Sequence, residues 1–167
     1  MKDSQTRVSD GRTIAYTDIG EPGWPCVMFF HGAPSSRLRL AYLEPDFLAS
    51  GIRLVAPDRP GYGRSSPQPD RSIADWPRDV ATLADALDID RFVPAGHSSG
   101  GPYALACAAM LSTRVSGAIL LGGVTNMTWP GAVLIPGSAL RVLPGHGHFT
   151  ILGELPALAA TLLRSLT

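Results

Sequence analysis

Apolar runs typical of buried strands alternate along this chain with segments in which apolar residues recur at helical spacing. The strand patterns fall at residues 26–30, 53–57, 91–95, 115–121 and 139–143. The helical patterns fall at residues 38–50, with a break near Pro45, and at 75–87, 101–110 and 154–166. This alternation predicts an α/β fold with a mainly parallel, twisted sheet and helices on both faces.

Two shorter strand patterns come before the first helix, at residues 6–9 and 13–18. The Asp10-Gly11 pair between them is a turn signal, so the two segments are predicted to form a hairpin. Residues 125–138 contain two Pro-Gly pairs and show neither strand nor helix periodicity. They are the irregular part of the pattern.

Size and charge narrow the class of protein. The chain has 167 residues, of which 45% are hydrophobic and 17% charged, and this predicts one globular domain over residues 1–167. The formal net charge is zero, so neither nucleic acid nor an anionic membrane is expected as a partner. No apolar run approaches the ~20 residues of a membrane span, and residues 1–13 lack the apolar region of a secretory signal. We therefore expect a cytoplasmic protein.

Metal and cofactor signals are absent from the sequence pattern. Cys26 lies in a strand pattern and Cys107 in an apolar helix pattern, which predicts two buried thiols rather than a disulfide. No spacing of Cys, His and Asp is typical of a metal site, and no cofactor is expected. The glycine-rich stretch 58–65 lacks the order of a phosphate loop. We interpret it as scaffold, with Asp58 and Arg59 fixing the loop by a local ion pair.

The chemistry is concentrated at Gly96-His97-Ser98-Ser99-Gly100, which lies between a strand pattern and a helix pattern. This is the G-x-S-x-G order of a nucleophile elbow, where the chain turns sharply and the serine stands at the tip. The serine there adopts a strained, positive φ, and its neighbours must be small. Ser98 is therefore the candidate nucleophile. The alternative is an ordinary Gly/Ser-rich turn after a strand.

A serine hydroxyl needs a base, and the chain has four histidines. His146 and His148 lie in a loop after the last strand pattern, and either could be the base. His97 adjoins Ser98, so its side chain is expected to point away from the serine hydroxyl. His31 follows strand 26–30 and is expected to be a structural hydrogen-bonding residue.

An oxyanion hole needs backbone N–H groups aimed at the developing negative charge. One is expected from Ser99, the residue after the nucleophile, and another from the loop His31-Gly32-Ala33-Pro34. Ala33 is the best donor in that loop, since Pro34 has no N–H.

Four segments together resemble the α/β-hydrolase family. They are HGAP at 31–34, DRPGYGRS at 58–65, GHSSGGPYAL at 96–105 and LPGHGHF at 143–149. The resemblance implies a reduced α/β-hydrolase core with Ser98 as nucleophile, Ala33 and Ser99 as oxyanion donors, and His148 as base. His148 is preferred because Gly147-His148-Phe149 is similar to the family's terminal signature. Serine at the elbow argues against haloalkane dehalogenases and epoxide hydrolases, which use aspartate there.

The chain departs from the family in one respect. The family's triad runs Ser, then Asp or Glu, then His, yet no Asp or Glu lies between Arg91 and Gly153. We interpret residues 125–138 as a junction that replaces the cap and the acid-bearing strand. Asn126, Asp58, Glu154 and a carboxylate of a second subunit are the alternatives for the acid, and none is compelling.

Three hypotheses follow. The first is a serine carboxylesterase that cleaves small, accessible esters with a Ser98–His148 dyad. Losing only the acid costs roughly 10⁴-fold in rate, so weak activity on reactive esters is expected. The second is a non-catalytic hydrolase-like protein. The third is a homodimer that completes its sheet edge by exchanging the C-terminal segment.

Overall fold

A computed structural model describes residues 1–122 and 150–165. The strands of these residues form a six-stranded sheet in the order β1-β2-β4-β3-β5-β6. The strands are β1 (Lys2–Arg7), β2 (Thr13–Ile19), β3 (Cys26–Phe30), β4 (Arg53–Pro57), β5 (Phe92–His97) and β6 (Ile119–Leu121). Strands β4, β3, β5 and β6 pair in parallel, whereas β1 and β2 pair antiparallel with each other and β2 with β4. The predicted mainly parallel sheet is therefore confirmed.

The α-helices begin where proline sets the first turn. They are α1 (Glu44–Ser50), α2 (Trp76–Ala86), α3 (Gly101–Met110) and α4 (Leu155–Ser165). Pro45, Pro77 and Pro102 stand at the first or second position of α1, α2 and α3, where a missing N–H breaks no helical hydrogen bond. The break predicted near Pro45 is present, because a 3-10 helix (Arg37–Leu43) comes directly before α1.

Strand β3 shows how the sheet acquires helices on both faces. All five of its residues are buried, and alternate side chains enter different cores. Val27 and Phe29 join a cluster that includes Phe47 of α1 and Leu155 of α4. Cys26, Met28 and Phe30 join the cluster of α2 and α3, in which Phe30 packs edge-to-face on Trp76 with ring centroids 5.4 Å apart. Helices therefore cover both faces, as predicted.

Two strand predictions were wrong in their bounds. Strand β1 occupies residues 2–7 rather than 6–9. Its backbone pairs with β2 along its whole length, and its sequence shows no alternation of apolar side chains from which this could be predicted. The pattern at 115–121 yields only β6, with one isolated bridge between Val115 and Phe92. Ser116, Gly117 and Ala118 intervene, and these small residues have little strand propensity.

Helix α4 begins one residue later than predicted, at Leu155, and follows a 3-10 helix (Thr150–Glu154). Its predicted apolar face is confirmed, since Leu155 and Ala159 are buried and Leu158, Leu162 and Leu163 pack against the same core. The predicted junction 125–138 and the predicted strand 139–143 lie outside the described residues. Within residues 1–122 and 150–165, no helix is both long enough and apolar enough to cross a membrane.

Candidate active site

Ser98 stands at the carboxyl end of β5, where the chain turns into the 3-10 helix Ser98–Gly100 and then into α3. Its φ is +52°, so the predicted strained conformation is present. The turn leaves no room for side chains beside it. A Cβ on Gly96 would lie 2.5 Å from the Gly100 carbonyl oxygen, and one on Gly100 would lie 2.0 Å from that of Phe30. Glycine at both positions lets the elbow form.

The loop after β3 faces Ser98 across a cavity of about 190 Å³. Gly32 lies close to the elbow, since a Cβ on it would lie 3.0 Å from the Ser98 Cβ. The residues lining the cavity are Gly32, Ala33, Pro34, Ser35, Arg39, His97 and Ser98. The structure thus brings the predicted nucleophile together with the loop of Ala33, as expected at the carboxyl ends of neighbouring parallel strands.

His31 is buried and hydrogen-bonded at both ring nitrogens. Its Nδ1–H donates to the Gly32 carbonyl at 2.7 Å, and its Nε2 accepts from the Arg59 backbone N–H at 3.2 Å. Because a backbone N–H can only donate, Nε2 carries no proton and Nδ1 does. Burial lowers the pKa of His31 to about 4, although the bond to the Gly32 carbonyl opposes this. His31 is therefore a neutral structural residue, as predicted from the sequence.

Asp58 and Arg59 do not form the local ion pair that the sequence predicted. The fully buried Asp58 carboxylate accepts from the Arg37 side chain at 2.7 Å and from the Arg37 and Arg64 backbone N–H groups. A Cβ on Gly63 would lie 1.9 Å from its Oδ2, so glycine makes room for the carboxylate. The Asp58 carboxylate is therefore used in hydrogen bonds with Arg37 and Arg64.

Arg59 extends in the other direction, toward the elbow. Its guanidinium lies 4.7 Å from the ring centroids of both Tyr62 and Tyr103. It also donates to the carbonyl oxygen of Gly32 at 3.1 Å and contacts the oxygens of Ser99. The sequence reasoning missed this placement. The only signal in the chain was a cation directly after a strand end, with tyrosines at 62 and 103.

Among the remaining candidate residues, the structure describes His97 and Glu154. His146, His148 and Asn126 lie outside the described residues, so the assignment of the base stays a prediction. His97 is buried and lines the same cavity as Ser98. Glu154 ends the 3-10 helix before α4.

Cys26 and Cys107 are both buried free thiols, as predicted, and burial raises the pKa of each to about 12. Among residues 1–122 and 150–165, no group of three or more His, Cys, Asp or Glu side chains could hold a metal ion. A larger cavity of about 570 Å³ lies at the amino ends of the parallel strands, beside Ile52, Phe92 and Leu163.

Comparison with known proteins places this chain in a broad family. A family profile described as the alpha/beta hydrolase fold matches residues 25–163. The chain is 37% identical over 118 residues to a non-heme chloroperoxidase of Streptomyces lividans, covering 70% of this chain and 43% of that protein. It is 39% identical over 93 residues to a bifunctional esterase/perhydrolase of Acinetobacter calcoaceticus, covering 55% of this chain and 34% of that protein. The chain thus spans less than half the length of these curated relatives.

A solved structure shares the fold over nearly its whole length. A predicted CIB-like hydrolase from Thermoplasma acidophilum superposes with a TM-score of 0.80 at 20% identity. The match covers 98% of this chain and 98% of that chain. At this identity the likeness concerns the fold alone.

Proposed function

Because the chain belongs to the α/β-hydrolase fold family, we propose that it hydrolyses small, accessible carboxylic esters with Ser98 as nucleophile. One observation carries the proposal. Ser98 has a φ of +52° at the tip of a strand-to-helix turn, and it lines a cavity with the loop that contains Ala33. This conformation is strained, and strain of this kind clusters at functional sites.

In the acylation step, the Ser98 Oγ attacks the ester carbonyl carbon while its proton passes to a histidine. We assign that role to His148, with His146 as the alternative. The backbone N–H groups of Ala33 and Ser99 donate to the oxyanion of the tetrahedral intermediate. Collapse of the intermediate breaks the bond to the alcohol oxygen, which takes the proton from the imidazolium and leaves.

In the deacylation step, water attacks the acyl carbon and the histidine takes the water's proton. The acyl carbon–Oγ bond then breaks, the imidazolium returns the proton to the Ser98 Oγ, and the carboxylic acid leaves. No carboxylate lies between Ser98 and the predicted base in the sequence. Such a site lacks the group that stabilises the imidazolium, which costs roughly 10⁴-fold in kcat. The oxyanion hole and binding still supply about 10³-fold over water. Activated esters are therefore the expected substrates, and amides are not.

The first experiment measures turnover of p-nitrophenyl acetate. Ser98→Ala should abolish enzyme-dependent turnover, whereas Ser116→Ala, at the far end of the sheet, should retain it. A fluorophosphonate should label the wild type and the Ser116→Ala variant, but not Ser98→Ala. Absence of both turnover and labelling in the folded wild type would favour the non-catalytic alternative.

The second experiment assigns the base. His148→Ala should slow fluorophosphonate labelling of Ser98 by at least ~100-fold, the lower range for general base catalysis. His146→Ala is the matched variant in the same loop. If His146→Ala shows the larger loss, the roles of the two histidines are exchanged.

One relative's name favours a second candidate function. The esterase/perhydrolase at 39% identity suggests hydrogen peroxide as an alternative acceptor for the acyl group. Peroxide would then attack the acyl-serine in place of water, releasing a peracid and re-forming the Ser98 hydroxyl. Adding hydrogen peroxide to an ester assay and measuring peracid distinguishes the two acceptors, because Ser98→Ala should abolish both products.

A further inference from the structure

Arg59 is a buried cation, and the described residues provide no carboxylate partner for it. Its exposed fraction is 3%, and no carboxylate of residues 1–122 and 150–165 forms an ion pair with it. The residues outside the described part, 123–149 and 166–167, contain no Asp or Glu. Within the described part of the chain, its Nε also has no hydrogen-bond partner. Burying an unpaired charge destabilises the folded protein. We therefore expect other contacts to stabilise the guanidinium or a function to require it.

The rings of Tyr62 and Tyr103 partly stabilise the buried guanidinium. Each ring centroid lies 4.7 Å from the guanidinium carbon, within the range of cation–π attraction. These rings hold the guanidinium between the two loops that bound the cavity at Ser98. Its Nη2 donates to the Gly32 carbonyl at 3.1 Å and lies 3.4 Å from the Ser99 Oγ, while Nη1 lies 3.5 Å from the Ser99 carbonyl oxygen.

The bond to Gly32 has a specific consequence for the proposed oxyanion hole. The Gly32 carbonyl and the Ala33 N–H belong to one planar peptide unit, so a donor that fixes the carbonyl also fixes the direction of the N–H. Donation to the carbonyl oxygen polarises the peptide and strengthens its N–H as a donor. The His31 Nδ1–H donates to the same oxygen at 2.7 Å, so this carbonyl accepts two hydrogen bonds.

We propose that Arg59 is a positioning residue that orients and polarises the Gly32–Ala33 peptide, placing a positive charge behind the oxyanion hole. The inference rests on the function proposed above, because it concerns the same oxyanion. A charge-assisted hydrogen bond is roughly twice as strong as a neutral one, and the buried setting increases its effect. The expected benefit therefore appears in the transition state, where negative charge develops, and not in the binding of a neutral ester.

The experiment compares three variants with the wild type in hydrolysis of p-nitrophenyl acetate. Arg59→Met removes the charge and the fork of donors but keeps an unbranched apolar stem. Arg59→Lys keeps the charge without the fork. Arg71→Met is the matched control, since Arg71 lies 5.6 Å from the Tyr103 ring and donates to its hydroxyl.

For Arg59→Met we expect kcat to fall by about 10- to 30-fold with KM within twofold, less than the ~100-fold for deleting an oxyanion donor. Arg59→Lys should lie between this variant and the wild type. Arg71→Met should stay within twofold of the wild type. Phenylboronic acid, which forms a tetrahedral anionic adduct on the serine, should lose affinity for Arg59→Met in proportion to kcat. Benzyl alcohol, a neutral competitor, should keep its affinity.

Each outcome bears on one proposal or on both. An inactive and unlabelled wild type overturns the proposed function and this inference with it. An active wild type, with kcat of a folded Arg59→Met within twofold, overturns this inference alone. Equal loss of affinity for the boronic acid and the alcohol also overturns it, because a merely structural role would disturb both. If Arg59→Met does not fold, Arg59→Lys decides: lowered kcat at normal KM supports the inference, and wild-type kcat overturns it.

Discussion

Lowering the pH from 7 to 5 should destabilise this protein by about 2 kcal/mol through His31 alone. The folded protein holds its imidazole neutral, because the Arg59 backbone N–H occupies Nε2 and burial disfavours the imidazolium. The pKa of His31 is about 4 in the folded state, against an ordinary value of 6.5. Between these two values the unfolded chain binds a proton that the folded chain does not.

The sign and size follow from this difference. The folded pKa is depressed, so the stability contributed by His31 is fully present above pH 6.5 and is lost as the pH falls through 4. A shift from 6.5 to about 4 corresponds to about 3 kcal/mol in total at ~1.4 kcal/mol per pH unit. About 2 kcal/mol of this is lost by pH 5, where the unfolded imidazole is almost fully protonated.

Urea unfolding at pH 7, 6 and 5, followed by tryptophan fluorescence, measures this loss. His31→Gln keeps a hydrogen-bonding side chain that does not titrate in this range. The carboxyl groups titrate in both proteins, so the comparison isolates the imidazole. We expect the wild type to lose about 2 kcal/mol more than the variant between pH 7 and pH 5. Parallel stability profiles for the two proteins would refute the reasoning.

Three further predictions concern groups with fixed surroundings. Gly100→Ala should lower the free energy of unfolding by about 3 kcal/mol or more, because its Cβ would lie 2.0 Å from a β3 carbonyl oxygen. In Gly153→Ala the new Cβ meets nothing within 4 Å, so this control should change the free energy of unfolding by less than ~0.5 kcal/mol. Equal stability of the two variants would contradict this. Asp58→Asn should cost about 3 kcal/mol, since it breaks a buried ion pair at 2.7 Å; a loss below ~1 kcal/mol by urea unfolding would show that the pair is dispensable. Cys26 and Cys107, each with a pKa of about 12, should resist iodoacetamide at pH 8 and react only after denaturation, so rapid labelling of native protein by mass spectrometry would count against their burial.

The central layers of the fold could be predicted from the sequence because their signals are local. The apolar run of β3 is buried on both faces, and Pro77 stands in the first turn of α2. The edges could not be predicted as well. Strand β1 carries no apolar alternation, and its bounds follow from pairing with β2. No periodicity in residues 2–7 could have indicated that partner.

The elbow could also be predicted from a local signal, since one tight turn requires both its small residues and the positive φ of Ser98. The pairing of Asp58 and Arg59 was wrong for a simple geometric reason. Successive side chains of an extended segment point in opposite directions, so neighbours in sequence reach different parts of the molecule. Asp58 meets Arg37, and Arg59 meets the loops around Ser98, across sequence distances that no spacing rule encodes.

The hydrogen bonds of Asp58 also predict how the molecule opens. Its backbone N–H donates to the Ala15 carbonyl in β2, and its carbonyl accepts from the Ser65 hydroxyl, which in turn accepts from the Ala15 N–H. Through Arg37 the same residue connects to Asp3 of β1. Opening any one of these contacts exposes the others, so amide protons of β1, β2 and the loop at 58–66 should exchange with solvent as one cooperative unit. We therefore expect the β1–β2 hairpin to open together with this loop and not as a separately fraying end.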